Sequence, residues 1–148
     1  MADIDKDRLA SDIEALSDFN RAIVEEFRAN DGKISNLPGG ELLLLHHTGA
    51  KSGESRLSPL AYVRVGGRML VVGSSLGSPK HPAWVHNLRA HPRCRVEVGT
   101  DDYAVVAREL PREERDALFP SVTAAAPVLA DYQAKTDRVI PLFELTRG

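Results

Sequence analysis

Residues 58–73 read SPLAYVRVGGRMLVVG, two mainly apolar stretches joined by a glycine pair. Glycine adopts the positive φ angles that a two-residue hairpin turn requires, so this stretch predicts two antiparallel strands over 58–65 and 68–73. Antiparallel strands can be joined by such a turn, whereas parallel strands need a long crossover connection. The stretch therefore favours an antiparallel sheet or a small barrel.

Further strands are predicted on both sides of this hairpin. Residues 41–48 are apolar and bounded by glycine, which suits a short buried strand. Residues 93–98 and 103–110 form a second predicted hairpin across Gly99-Thr100-Asp101-Asp102, and residues 139–146 predict a closing strand. We therefore expect about six strands connected mainly by hairpins.

Four segments predict helices. In residues 7–29 the apolar residues recur at steps of three and four, which places them along one helical face. Residues 82–90 begin with proline, which is favoured in a first helical turn, and residues 111–122 and 124–136 also have helical patterns. No linker or internal repeat interrupts the chain, so we expect a single domain over residues 1–148 with an N-terminal helix at about 7–29.

The composition limits the function classes. Lysine and arginine total 19 against 21 acidic residues, a net charge of −2, which disfavours a nucleic-acid partner. Cys94 is the single cysteine, so an internal disulfide and a multi-cysteine zinc site are excluded. The longest apolar run, residues 42–45, is far shorter than the ~20 residues that cross a bilayer. We expect a cytoplasmic protein without a transmembrane segment or secretion signal; peripheral membrane contact stays open.

Residues 48–56, TGAKSGESR, form the most informative loop. Its glycines would let successive backbone N–H groups converge, and Lys51 and Arg56 add cationic donors, so the loop predicts an anion-binding site. It is not a nucleotide-binding P-loop, because lysine and serine precede the second glycine and a strand follows. The alternative is a solvated hairpin turn with two incidental charges.

Two later segments offer ligand contacts. Residues 73–80, GSSLGSPK, follow a predicted strand, and their small residues would allow a flat ligand to approach while Ser74 and Ser75 bond its edge. The alternative is a flexible polar loop. Trp84 and Asn87 lie on nearly the same face of a short helix. Trp84 either forms the wall of a ligand pocket or covers the core, and the sequence does not separate these roles.

The remaining reactive side chains predict no further site. His46 and His47 are adjacent on a strand and point to opposite faces, while His86 and His91 are five residues apart and do not share a helix face. We therefore expect no metal. Cys94, inside a predicted strand, reads as a small buried apolar residue. No G-x-S-x-G motif supports a hydrolase.

The ordered series of motifs resembles the deazaflavin-dependent nitroreductase family, whose members use coenzyme F420. The resemblance covers about residues 19–145 and is carried by TGAKSG at 48–53, Arg56, SPL at 58–60, GGR at 66–68, Ser74, Pro82-x-Trp84, Asn87-Leu88, DYQ at 131–133, and TDR-x-IP at 136–141. It implies an α+β fold, a split β-barrel of about six mainly antiparallel strands with flanking helices, similar to the barrels that bind FMN.

The resemblance also implies which residues hold the cofactor. The loop and its arginine would bind the anionic phospholactyl–glutamate tail, and the next strand would lie along the cofactor. Val72 and residues 73–80, which we call the Ser74 segment, would border the ring through Ser74 and Ser75. In chain order the implied cofactor-binding residues are Lys51, Ser52, Gly53, Arg56, Ser58, Pro59, Val72, Ser74, Ser75, Trp84 and Asn87.

The implied activity is hydride transfer from reduced F420 to an electron-poor acceptor: a quinone, a nitro compound or an activated enone. Ser74 and Tyr132 are the predicted catalytic residues, which would hydrogen-bond the acceptor; whether Tyr132 donates a proton or only shapes the pocket stays open. Ala126 and Leu129 occupy positions where relatives have tyrosines, which predicts a smaller, aliphatic substrate mouth. The alternatives are a non-catalytic F420-binding or storage protein and an FMN-dependent split-barrel reductase. A homodimer stays open.

Overall fold

The computed structural model describes residues 22–32, 41–74 and 77–148. Its strands are β1 (Glu41–Thr48), β2 (Ser55–Val65), β3 (Arg68–Val72), β4 (Arg93–Val98), β5 (Asp101–Glu109) and β6 (Leu142–Arg147). Its helices are α1 (22–29), α2 (Ala83–Ala90), α3 (Arg112–Ala125) and α4 (Val128–Ala134).

The six strands form a closed barrel in the order β1-β2-β3-β6-β5-β4. Every pair is antiparallel, including β4 with β1, which closes the barrel. β6 follows the other strands in the chain but lies between β3 and β5. The predicted α+β split-barrel fold, with six strands and flanking helices, is confirmed.

The apolar run at residues 42–45 is buried on both faces of β1. Leu43 and Leu45 face the barrel interior, and helix α2 covers that interior with Trp84, Val85 and Leu88. Leu42 and Leu44 face outward, because successive strand residues alternate, and they pack under Val24 and Phe27 of α1. A strand covered on both faces explains why this run shows no alternation of polar and apolar residues.

Helices α3 and α4 cover another part of the outer wall. Val63, Leu70 and Leu142 point outward from β2, β3 and β6 and pack against both helices, through Val122, Ala126 and Leu129. Ala126 is 1% exposed and Leu129 is 7% exposed. The packing of the helices places both side chains in this outer core, and the smaller, aliphatic substrate mouth stays a prediction.

Element boundaries differ from the predictions where polar residues belong to strands. β2 begins at Ser55 rather than 58, because Ser55, Arg56 and Leu57 pair with the end of β1. Val98 pairs with Asp101, so the second hairpin turn is Gly99-Thr100 alone. The described helix α1 lies within the segment 7–29 predicted to be helical, and residues 7–21 lie outside the described residues.

Strand β2 is longer than its neighbour β3. β3 pairs only with residues 62–65, whereas β1 pairs with residues 55–62. Among the described residues, the second edge of residues 55–61 has no strand partner, and we call this segment the open edge. Pro59 lies within it, a position that suits proline because an edge strand does not need every N–H. The barrel wall therefore closes through residues 62–65 of β2, and residues 55–61 extend beyond the end of β3.

Candidate functional site

The loop between β1 and β2 (residues 49–54) is a compact turn built from its own hydrogen bonds. Gly49 N–H donates to the Glu54 carbonyl at 2.8 Å, and Gly53 N–H donates to the Gly49 carbonyl at 3.0 Å. Glu54 N–H donates to Ser52 Oγ at 3.1 Å. Gly53 has a φ of 70°, which favours glycine, and a Cβ at Gly49 would lie 2.4 Å from Ser52 Oγ. A side chain at Gly49 would displace the Ser52 hydroxyl, and one at Gly53 would be strained by the positive φ.

These bonds correct one expectation. The N–H groups of Gly49, Gly53 and Glu54 are used inside the loop, and Ala50 N–H donates to Asn87 Oδ1 at 2.8 Å. The prediction that successive backbone N–H groups converge on an anion is therefore wrong for these residues. The loop instead presents cationic side chains, since Lys51 and Arg56 are both exposed.

The two cations differ in their neighbours. Arg56 lies 3.3 Å from the Glu54 carboxylate, and both side chains are largely exposed. Among the described residues, no carboxylate lies within ion-pair distance of Lys51. Exposed pairs of this kind contribute about 0–1 kcal/mol, so Glu54 is a weak competitor for Arg56. Both cations are available to an anionic ligand.

A buried polar chain supports the loop from below. Asn87 Nδ2 lies 3.0 Å from His47 Nδ1, and His47 Nε2 lies 2.9 Å from Ser58 Oγ. His47 and Asn87 are 5% and 7% exposed, whereas Ser58 is half-buried. This chain connects helix α2 with the ends of β1 and β2. The place of His47 in this site could not be predicted, because its partners Ser58 and Asn87 are 11 and 40 residues away in the sequence.

Burial changes the ionisation of His47. Desolvation, followed by the charges of Arg56 and His46, lowers the pKa of His47 from 6.5 to about 4. The unfolded chain therefore binds more protons than the folded protein between these values. We expect the melting temperature to be highest above pH 6.5 and to fall as the pH drops toward 4. Glu97, whose pKa Arg28 lowers to about 2, contributes only below its ordinary value of 4.5.

The control for this pH dependence is His47→Gln, measured by thermal unfolding between pH 4.5 and 6.5. The variant should lose much of the fall in this window. A smaller fall should persist, because burial and Arg138 also lower the pKa of His81. An unchanged pH profile in His47→Gln would contradict a neutral buried histidine at this position.

Arg138 holds the segment that carries Ser74. Its guanidinium donates to the carbonyl oxygens of Gly73 at 3.0 Å, Ser74 at 2.8 Å and Ser78 at 2.8 Å. It also lies 2.9 Å from His81 Nδ1. Arg138 belongs to the TDR-x-IP motif, but this role could not be predicted from the sequence, because backbone carbonyl partners are not marked by any residue type. Ser75 lies outside the described residues.

Gln133, the last residue of the DYQ motif, fixes the segment before β6. Gln133 Oε1 accepts from Arg115 at 2.6 Å and from Ile140 N–H at 3.0 Å, while its Nε2 donates to the Arg138 carbonyl at 2.8 Å. These bonds hold residues 138–141 outside the barrel sheet, which is why β6 begins later than predicted. They also join α4 to the Arg138 segment.

Tyr132, on α4, is half-buried. It packs against the same outer apolar cluster as Val72. A Cβ placed on Gly77 would lie 2.9 Å from the Tyr132 carbonyl, so α4 directly contacts the segment that follows Ser74. The structure thereby brings the ends of β3 and α4 together, although no direct contact between the Ser74 and Tyr132 side chains is described.

Trp84 belongs to the barrel core. Its side chain is 7% exposed, and its ring meets Phe143 edge-on with centroids 5.7 Å apart. These contacts show that Trp84 covers the core, which is one of the two roles that the sequence left open. A contact between Trp84 and a ligand stays a prediction.

The other reactive side chains are engaged elsewhere. His46 bonds Glu97 at 2.6 Å on the face opposite His47, as the strand alternation predicts. Burial raises the pKa of the Cys94 thiol to about 11, so the thiol is protonated at neutral pH. Among the described residues, no three histidine, cysteine or acidic side chains are grouped as metal ligands would be. In the same residues, no helix has the length and apolar character needed to span a bilayer.

Known F420-dependent reductases are similar to this chain in sequence and in fold. An F420H(2)-dependent quinone reductase of Mycobacterium tuberculosis is 37% identical over 126 residues, which cover 82% of this chain and 85% of that protein. A solved structure described as an F420-H2 dependent reductase has a TM-score of 0.64 and 39% identity, and the match covers 77% of this chain and all of the other.

Another solved structure, described as a domain-swapped dimer, has a TM-score of 0.65 and 36% identity, covering 88% of this chain and 98% of that one. The family model described as F420H(2)-dependent quinone reductase matches residues 19–147. The expected resemblance to F420-dependent reductases is confirmed, and quinones are the acceptor that the family description names. This chain belongs to the F420H(2)-dependent quinone reductase family.

Proposed function

We propose that this protein reduces quinones with F420H2 and holds the cofactor between the β1–β2 loop and the Ser74 segment, along the open edge of β2. The single observation that carries the proposed placement is the pair of exposed cations, with Lys51 in the β1–β2 loop and Arg56 on the unpaired strand edge that follows it. As a member of its family the chain is an oxidoreductase whose cofactor is reduced F420.

The residues of the loop fit the cofactor's anionic tail. Lys51 projects from a turn whose shape is fixed by its own hydrogen bonds, and Arg56 projects from the paired start of β2, so little backbone ordering is needed when an anion binds. Ser52 Oγ accepts from Glu54 N–H, which leaves its own O–H hydrogen free to donate. Gly53 adopts the positive φ that this turn requires. Cationic and hydroxyl donors are the groups that recognise phosphate and carboxylate.

The remaining predicted residues would contact the other end of the cofactor. Ser58 and Pro59 lie on the open edge, while Val72 and Ser74 lie at the end of β3, with Ser75 next in the sequence. The bound cofactor supplies the hydride, which no side chain can donate. Ser74 and Tyr132 would donate hydrogen bonds to the acceptor oxygen as negative charge develops there. Comparing the turnover of Tyr132→Phe with that of the wild type tests whether Tyr132 donates a proton or only shapes the pocket.

We also propose a cytoplasmic location and a homodimer. The dimer is supported by the relative described as a domain-swapped dimer, at 36% identity. Light scattering of the purified protein measures the assembly directly.

The proposed function is tested by titrating the purified protein with F420 and following its fluorescence, then by mixing protein, F420H2 and a quinone panel. We expect saturable binding and oxidation of F420H2 with stoichiometric quinone reduction. Tight binding without oxidation by any quinone, nitroarene or enone would favour a storage protein. Preferential binding of FMN, visible as a yellow protein on purification, would favour the FMN-dependent alternative.

Removing the competitor of Arg56 should strengthen tail binding. Glu54→Gln eliminates the carboxylate 3.3 Å from Arg56, so we expect F420 to bind about twofold to fivefold more tightly, in keeping with the ~0–1 kcal/mol of an exposed pair. The gain should disappear at high salt, where exposed charges are screened. Weaker binding in Glu54→Gln would mean that Glu54 orients Arg56 rather than competing with the ligand.

A further inference from the structure

The hydrogen bonds that link Ala50, Asn87, His47 and Ser58 have a defined donor–acceptor order. A backbone N–H can only donate, so the Asn87 atom 2.8 Å from Ala50 N must be Oδ1. This places the Asn87 NH2 group 3.0 Å from His47 Nδ1. Since an amide NH2 also donates, Nδ1 must be the unprotonated, accepting nitrogen of a neutral imidazole.

The direction continues to Ser58. A neutral imidazole with an unprotonated Nδ1 carries its proton on Nε2, which lies 2.9 Å from Ser58 Oγ. Nε2–H therefore donates to the serine oxygen. The Ser58 hydroxyl hydrogen does not bond His47 and is free to donate to another acceptor. Ser58 is half-buried and lies on the open edge, so a ligand along that edge can reach it.

We propose that Asn87 and His47 are positioning residues that make the Ser58 hydroxyl a hydrogen-bond donor toward a carbonyl or anionic oxygen of the cofactor, while Asn87 holds the β1–β2 loop through Ala50. This inference rests on the proposed function, because it places the cofactor along the open edge. Asn87, predicted from the sequence as a tail contact, then acts through the loop and through His47.

The surroundings of His47 keep the imidazole neutral. Arg56 lies opposite it on β2, since the two residues are register partners, and His46 is its neighbour on β1. From α2 the facing group is the neutral Asn87 amide. Burial together with Arg56 and His46 lowers the pKa of His47. The donor–acceptor order of these hydrogen bonds should therefore hold throughout the neutral pH range.

The direction is measured without cofactor by long-range ¹H–¹⁵N correlation NMR of the imidazoles at pH 7. We expect His47 to carry a proton on Nε2 only. A proton on Nδ1, whether in the other neutral form or in an imidazolium, would overturn the proposal. Asn87→Asp is a second variant that keeps an acceptor for Ala50; its carboxylate should draw a proton onto Nδ1. An unprotonated Nδ1 in Asn87→Asp would also overturn the proposal, because Asn87 would not set the tautomer.

The consequence for the cofactor is measured by a double-mutant cycle on the F420 dissociation constant. Ser58→Ala should weaken binding about fivefold, the value of one neutral hydrogen bond. His47→Phe should weaken binding in the wild-type background and add little to Ser58→Ala. Additive losses would overturn the link between His47 and Ser58. If the wild type binds no F420, the proposed function fails. The NMR measurement still decides the donor–acceptor order of the hydrogen bonds through His47.

Discussion

Replacing Lys51 and Arg56 together with alanine weakens F420 binding by about 100-fold or more. Both side chains are exposed, Lys51 in the β1–β2 loop and Arg56 on the open edge, and each can form a charge-assisted hydrogen bond, which contributes roughly 1.5–3 kcal/mol. The loss of both therefore exceeds ~3 kcal/mol, and each 1.4 kcal/mol is tenfold in the dissociation constant. The two alanines leave the turn intact, because its own bonds use the backbone and Ser52.

The matched control for this variant is Arg64→Ala. Arg64 is exposed on the same strand as Arg56, eight positions further along, which is roughly 26 Å at the usual strand rise. It should leave F420 affinity within twofold of the wild type. Added salt should weaken wild-type binding more than binding by the double variant, since the cations are gone. Wild-type affinity in the double variant would show that the tail is bound elsewhere.

Arg138→Ala destabilises the protein by about 3 kcal/mol, which corresponds to a melting temperature roughly 10 °C lower. The substitution removes three hydrogen bonds to the carbonyls of Gly73, Ser74 and Ser78, at about 1 kcal/mol each. Because the lost bonds surround Ser74, turnover should fall by about tenfold even at saturating F420H2 and at a temperature where the variant is folded.

Two variants sharpen this prediction. Arg138→Lys keeps the charge, but an ammonium lacks the planar fork that reaches several carbonyls, so most of the loss should persist. Arg112→Ala is the control: its side chain is exposed and pairs with Asp116 four residues on, so its melting temperature should match that of the wild type. If the melting temperature of Arg138→Ala equals that of Arg112→Ala, then Arg138 does not hold the Ser74 segment.

The strands could be predicted because their signals are local. The glycine pair at 66–67 and the uninterrupted apolar run at 42–45 each specify an element within a few residues. The start of β2 could not be predicted, because Ser55 and Arg56 are polar and become strand only through pairing with β1. The outer-core position of Ala126 likewise depends on how α3 docks onto the barrel.

In the candidate site, too, some residues could be predicted from local patterns and others could not. Lys51 and Arg56 could be found in the sequence, since a cationic glycine-containing turn is a local pattern. His47, Ser58 and Asn87 meet only through the strand register and the docking of α2, across separations of 11 and 40 residues. The carbonyl partners of Arg138 lie 60 to 65 positions away and are backbone atoms, so no residue type marks them.

The position of β6 between β3 and β5 has a consequence for the order of events during protein synthesis. A ribosome makes the five other strands first, yet β3 and β5 have no shared neighbour until β6 is complete. The nascent chain therefore exposes two strand edges, which are templates for pairing with other chains. Closure of the barrel needs β6, and the anchoring of the Ser74 segment needs Arg138, so binding competence should arise only after residues 138–147 have left the ribosome.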